Sequence, residues 1–197
     1  MKKLFLPLAC CAGLLCSAFA SGSAMADEFR PVATGAWTYG GDDWQVAKSA
    51  DGGAVQIHGG GKFEIGAGVA WKSSAYPMAA SLLANYHFDN SAGVNGDAKF
   101  TRAPIDAMVY YTGLEKLRFG VGLSYIVSPT VKATVDGQQQ SIKFKNAIGK
   151  SFEIGYEVTP QVWTNLRLSS EKFDPKTGGN AQSGDVTHLS LNVSYLF

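Results

Sequence analysis

The chain has 197 residues, of which 46% are hydrophobic and 17% charged, and its formal net charge is +1. That length suits one domain, and the near-neutral charge, with no basic run and no interleaving of basic and aromatic residues, excludes a nucleic-acid surface. After residue 26 no apolar run reaches the roughly 20 residues that a membrane-crossing helix needs, so any crossing has to be made by strands.

In chain order, Lys2 and Lys3 form a positive start, Leu4 to Ala20 is apolar apart from Ser17, and Ala24-Met25-Ala26 is a small-x-small cleavage site. Residues 1–26 therefore read as an export signal, with Ala18-Phe19-Ala20 as the alternative cut. Cys10, Cys11 and Cys16 all fall inside it, and Leu15 before Cys16 is wrong for lipid attachment. The mature domain, 27–197, is then expected to have no disulfide and no thiolate metal site.

The rest of the chain is rich in glycine (23) and aromatics (11 Phe, 8 Tyr, 4 Trp), and its apolar residues recur every second position. A period of two is the mark of a strand with one greasy side. Eight strands are predicted. The first runs from Arg30 to Tyr39, with Trp37 and Tyr39 on one side. Gly40 to Gly53 is a polar loop with a short helical turn over Asp43–Lys48. The second strand, Ala54–Trp71, opposes Val55, Ile57, Phe63, Ile65, Val69 and Trp71 to Lys62 and Glu64. The third, Pro77–Phe88, and the fourth, Ala98–Tyr111, flank a loop at 89–97. Pro104 in the fourth cannot donate to a ladder, which predicts a bulge. The fifth, Leu117–Val127, alternates most cleanly. A loop over 128–140 follows, in which Val131–Val135 extends the flanking hairpin. The sixth strand, Ser141–Val158, places Ile142, Phe144, Ile148 and Phe152 on one side. The seventh is Gln161–Glu171, and after a loop to Asp185 the eighth ends the chain.

In that last strand Leu189, Leu191, Val193, Tyr195 and Phe197 alternate with Ser190, Asn192 and Ser194. The ending resembles the terminal strand of bacterial outer-membrane β-barrels, in which a closing Phe and the residues two and four places earlier, here Phe197, Tyr195 and Val193, are read by the barrel-assembly machinery. Connections alternate between short (72–76, 112–116, 159–160) and long, and Trp71, Tyr76, Tyr86, Phe88, Tyr111 and Tyr125 lie near strand ends. Both are features of such barrels. Over the mature chain the sequence is similar to the small eight-stranded outer-membrane proteins, those like proteins X and W and the barrel of protein A. The resemblance implies an all-β, eight-stranded antiparallel up-and-down transmembrane barrel in the outer membrane, monomeric, bathed in lipid and lipopolysaccharide.

The opposite strand faces carry Lys62, Glu64, Arg102, Asp106, Arg118, Glu153, Glu157, Arg167 and Glu171 among glycines and serines. In a barrel too narrow for anything but side chains these must pair. The expected interior network joins Arg118 and Arg167 to Glu153 or Glu157. Two of the three histidines, His58 and His87, have no metal-ligand spacing. The third, His188, stands two before Ser190, a pair that resembles part of the motif of outer-membrane lipid A deacylases, whose further residues are missing here. Strand parity turns the pair inward, so no catalytic, metal or cofactor site is expected. Lys62, Lys143 and Lys145 at outer strand ends are candidates for lipopolysaccharide phosphates. The glycine runs 52–53 and 59–61 lack the strand-loop-helix setting of a phosphate loop. The expected role is structural or surface-interactive, against the alternatives of a narrow solute channel, a lipid A-modifying enzyme and adhesion through the loops.

Overall fold

The computed structural model describes residues 27–41, 43–48, 54–58, 61–93, 96–135, 138–176 and 183–197; the expected export signal at 1–26 lies outside them. Among the described residues eleven strands occur: β1 (Glu28–Gly40), β2 (Asp43–Lys48), β3 (Ala54–His58), β4 (Lys62–Lys72), β5 (Met78–Gly93), β6 (Gly96–Leu114), β7 (Leu117–Val135), β8 (Gln138–Lys143), β9 (Ala147–Thr159), β10 (Val162–Phe173) and β11 (Gly184–Leu196). Eight of them, in the order β1-β4-β5-β6-β7-β9-β10-β11, pair antiparallel, and β11 returns to β1 to close the sheet. The barrel predicted from the alternation is thus present.

Closure has a definite stagger. From Tyr39 the register runs through Leu189, Leu168, Phe152, Val121, Val109, Ala80 and Trp71 and comes back to β1 at Phe29, ten residues below its start. Eight strands with that shear tilt by about 41° and enclose a backbone radius of about 8 Å. Ten residues at that tilt rise about 25 Å, the height of the apolar band on a membrane barrel. The residues outside match it: Val121 and Leu123 are 62% and 56% exposed, whereas Arg102 and Glu153 inside are 2% and 0% exposed. Trp37, Tyr39, Phe63, Tyr86 and Tyr125 ring one edge of the band. Phe29, Tyr111, Tyr156, Tyr195 and Phe197 ring the other.

The end of the barrel with the lower ring has short turns, and both Asp27 and Phe197 lie there. We call it the turn end. At the Glu115-Lys116 turn Lys116 takes the left-handed conformation (φ 57°) that a two-residue connection demands. The opposite, hairpin end differs from expectation in four places. Asp43–Lys48 is a strand, not a helical turn, because it pairs with β3 in a separate two-stranded sheet. The long second strand is therefore two, β3 and β4, divided at the glycine run. The loop at 89–97 is a continuation of the β5–β6 ladder up to Gly93 and Gly96.

The sixth strand is likewise divided into β8 and β9. Ser128, at φ 50°, bends β7 so that it pairs with β9 below the bend and with β8 above it. Asn146 fastens the junction, accepting from the Ser128 N–H (3.1 Å) and donating to the Tyr125 hydroxyl (2.9 Å). Val131–Val135 extends the hairpin as the sequence indicated. Pro104 sits where the β5–β6 pairing lapses, two residues from a register slip against β7.

Leu166, exposed near mid-height of the band, reports its environment directly. Leu166→Arg is expected to cost about 2–4 kcal/mol in urea unfolding from phospholipid vesicles, the penalty for a cation at the bilayer midplane. Lys172→Arg, above the band, should change stability by less than about 0.5 kcal/mol.

Candidate functional site

The interior is stacked in layers along the barrel axis. From turn end to hairpin end, β10 supplies Trp163, Asn165, Arg167, Ser169, Glu171 and Phe173. β6 supplies Tyr110, Met108, Asp106, Arg102 and Phe100. Strand alternation points these side chains inward, and register brings unlike charges to one level.

The central layer is built on Glu153. One oxygen accepts from Arg118 Nη2 (3.2 Å), and the other accepts from Arg167 Nε (2.7 Å) and lies 2.7 Å from its Nη2. Arg167 Nη1 then donates to Asp106 (2.7 Å), which also accepts from Asn85 Nδ2 (2.8 Å). Arg118 Nη2 reaches Asn165 as well (2.8 Å), and Asn165 continues to Asn192 and Ser194 (both 3.1 Å). The Arg118 guanidinium lies between the rings of Tyr110 (4.3 Å) and Trp163 (4.6 Å). Gly155 makes room for it, since a Cβ there would come within 2.7 Å of Arg118 Nε.

Arg118, Arg167 and Glu153 are therefore brought together as the sequence suggested, but Glu157 is not. It is half-buried two residue pairs nearer the turn end, and among the described residues it enters no ion pair. Its place is taken by Asp106, which stands on a different strand with the same inward parity. The sequence left the two glutamates as alternatives because β9 offers both on one face, and the tilt of the barrel selects Glu153.

Above this layer Arg102 pairs with Glu171 and donates to His87 Nδ1 (3.0 Å). A guanidinium has nothing to accept with, so Nδ1 is the bare nitrogen and Nε2 carries the proton, donating to the Gly61 carbonyl at 2.9 Å. His188 packs edge-on against His87 at 5.8 Å. Ser190 turns to the Arg167 carbonyl (3.4 Å). Both members of the His188–Ser190 pair are buried inside, away from the lipid-facing surface. His58 lies on β3.

The layer nearest the hairpin end is apolar: Ala98, Phe100, Ile126, Val131, Ala133, Phe144, Phe173 and Val186 form one buried cluster. Ile142 and Phe144 were expected to face outward; instead Phe144 enters the cluster, held by backbone bonds from Phe144 N to Pro129 O (2.9 Å) and from Lys145 N to Asp174 O (2.8 Å), and Ile142 packs partly buried against it. The signal for this cap was present, because Ile126 and Phe173 share parity with the charged residues of their strands and Val186 with the inward His188, Ser190 and Asn192. Lys143 and Lys145 are exposed, and Lys62 bonds to the Asn90 carbonyl and lies 3.5 Å from Asp89.

An eight-stranded, sheared, closed barrel, apolar outside and polar inside, defines the class: the chain has the fold of the small outer-membrane β-barrels. No family model matches the sequence, and no curated protein is similar to it in sequence. Among solved structures it is similar to Neisserial surface protein A, at 14% identity over 87% of this chain and 99% of that one, with a TM-score of 0.55. It is also similar to Ail, the attachment invasion locus protein of Yersinia pestis, in complex with the heparin analogue sucrose octasulfate. There the identity is 12%, covering 88% of this chain and 100% of that one, with a TM-score of 0.55.

Replacing Glu153 should expose how the central layer is held. Glu153→Gln leaves Arg118 without its ionic partner and Arg167 with Asp106 alone, and is expected to destabilise the barrel by about 3–5 kcal/mol. Glu157→Gln should cost less than about 0.5 kcal/mol. Urea titration followed by tryptophan fluorescence separates the two.

Proposed function

We propose that this protein is an integral outer-membrane barrel, with its turn end in the periplasm and its hairpins outside, and that it acts through its outer surface. The observation that carries this is the obstructed interior: among the described residues a charge network across the middle and an apolar cap beneath the hairpins leave no continuous polar path. The same obstruction weighs against the channel, and the burial of His188 and Ser190 away from lipid weighs against the deacylase.

The surface has a recognisable chemistry. Lys99 and Lys132 stand directly opposite one another on β6 and β7, both exposed, and Lys143 lies on the adjoining β8. Like charges in opposed positions destabilise a ladder unless an anion lies between them. All three rise above the upper aromatic ring, at the depth of outer-leaflet headgroups. Lipopolysaccharide phosphates are the partner this arrangement favours, and the sulfated ligand of the Ail complex is an anion of similar kind. Insertion by the assembly machinery through Val193, Tyr195 and Phe197 belongs to the same proposal.

Two measurements test it. In planar bilayers the folded protein is expected to give no conductance steps; steady single-channel openings would overturn a surface role. In bicelles, lipopolysaccharide should raise the apparent unfolding temperature relative to phosphatidylcholine, and added salt should reduce that gain by screening. The Lys99→Glu, Lys132→Glu, Lys143→Glu triple variant should lose it.

A further inference from the structure

Beneath the central layer the barrel is not filled. A cavity of about 310 Å³ occupies its turn end and is lined from every strand of the barrel. The space exists because the β4 and β5 walls line it mostly with small side chains, Ala70, Ala79, Ala80 and Ser81, whereas Tyr110 and Trp163 come from the other side. Its floor is the Arg118 guanidinium, clamped between those two rings and steered by Glu153 and Asn165, both of which use Nη2. The two N–H groups on Nη1 meet no acceptor among the described residues, and Nε is buried without one. The rim adds Lys72 and Lys116, both exposed and outside any ion pair among the described residues, against Glu157. Arg30 and Glu28 neutralise each other at 2.6 Å. The remaining wall is apolar, with Leu114, Leu117 and Leu196.

A rigid, desolvated guanidinium with free donors at the bottom of an apolar-walled cup is a receptor for a planar anion. We propose that this cup binds a small organic carboxylate entering from the turn end. Its carboxylate would meet Arg118 Nη1 and the rim lysines, and its hydrocarbon part would lie against the leucines. This site is at the opposite end from the lysine face and does not depend on it: a barrel with no affinity for lipopolysaccharide could still hold the carboxylate, and the reverse.

The test is calorimetric titration of the protein folded in detergent micelles, with protein-free micelles as blank. Benzoate is the probe, benzamide its neutral counterpart and inorganic phosphate the anion without an apolar body. Benzoate is expected to bind at least tenfold more tightly than either. Ser81→Leu fills the cup, giving up the Ser81–Tyr110 hydroxyl contact (3.3 Å) but none of the ion pairs of Glu153, and should weaken benzoate at least tenfold. Lys116→Glu should weaken it several-fold. Both variants should keep the heat-dependent gel shift of a folded barrel, so that loss of binding is not loss of fold. Equal binding of benzoate and benzamide, equal binding of phosphate, or an unaltered affinity in Ser81→Leu would each overturn the proposal.

Discussion

The carboxylate of Glu153 holds the structure together from within. It is completely buried, and it answers two arginines that come from β7 and β10, on either side of its own strand. Unpaired, any of these charges would cost several kcal/mol to bury; together with Asp106 they cancel, two against two. The residues around them follow from that need. Gly155 yields space for the long Arg118 side chain, Asn85 donates to Asp106 and Asn165 accepts from Arg118 Nη2, and aromatic rings cover the flat faces of Arg118.

The same constraint explains why the exterior can be so plain. Backbone groups are satisfied by the closed ladder and charges by one another, so nothing polar has to reach through the wall into lipid. The outer residues are then free to be selected for oil and for aromatic edges alone. A sandwich with a common apolar centre would have required the reverse distribution, with Leu123 and Phe119 inside and Arg118 in water.

Much of this was legible in the chain. Strict alternation in Leu117–Val127 and Leu189–Phe197 defined strands, and the aromatic ending chose the side that meets lipid. Charges on the other parity identified the interior. What alternation does not carry is position along the barrel axis. Arg167 could have met Glu153 or Glu157 on parity alone, and its second partner, Asp106, is 61 residues away in the chain. Shear decides that pairing, and shear is a property of the closed sheet. The hairpin end was hidden for a different reason. Ile142 and Phe144 share the parity of the outward-facing Ile148 and Phe152, and the bend at Ser128 with the Asn146 bridge breaks that parity, so both turn toward the cap. The apolar cap escaped notice because its members are scattered singly among polar residues on five segments.

The seam of the cylinder joins β1 to β11, pairing Val32 with Leu196 and Gly40 with His188. These are the segments farthest apart along the polypeptide, so the contact that completes the ring carries the largest loop-closure cost and forms late. Until it forms, both margins of the sheet offer bare amides and carbonyls to a medium that cannot hydrate them. The product is consequently all-or-none: a chain lacking its last strand would not be a slightly weaker version of this molecule but an open sheet seeking another edge, in a foreign protein or a second copy of itself.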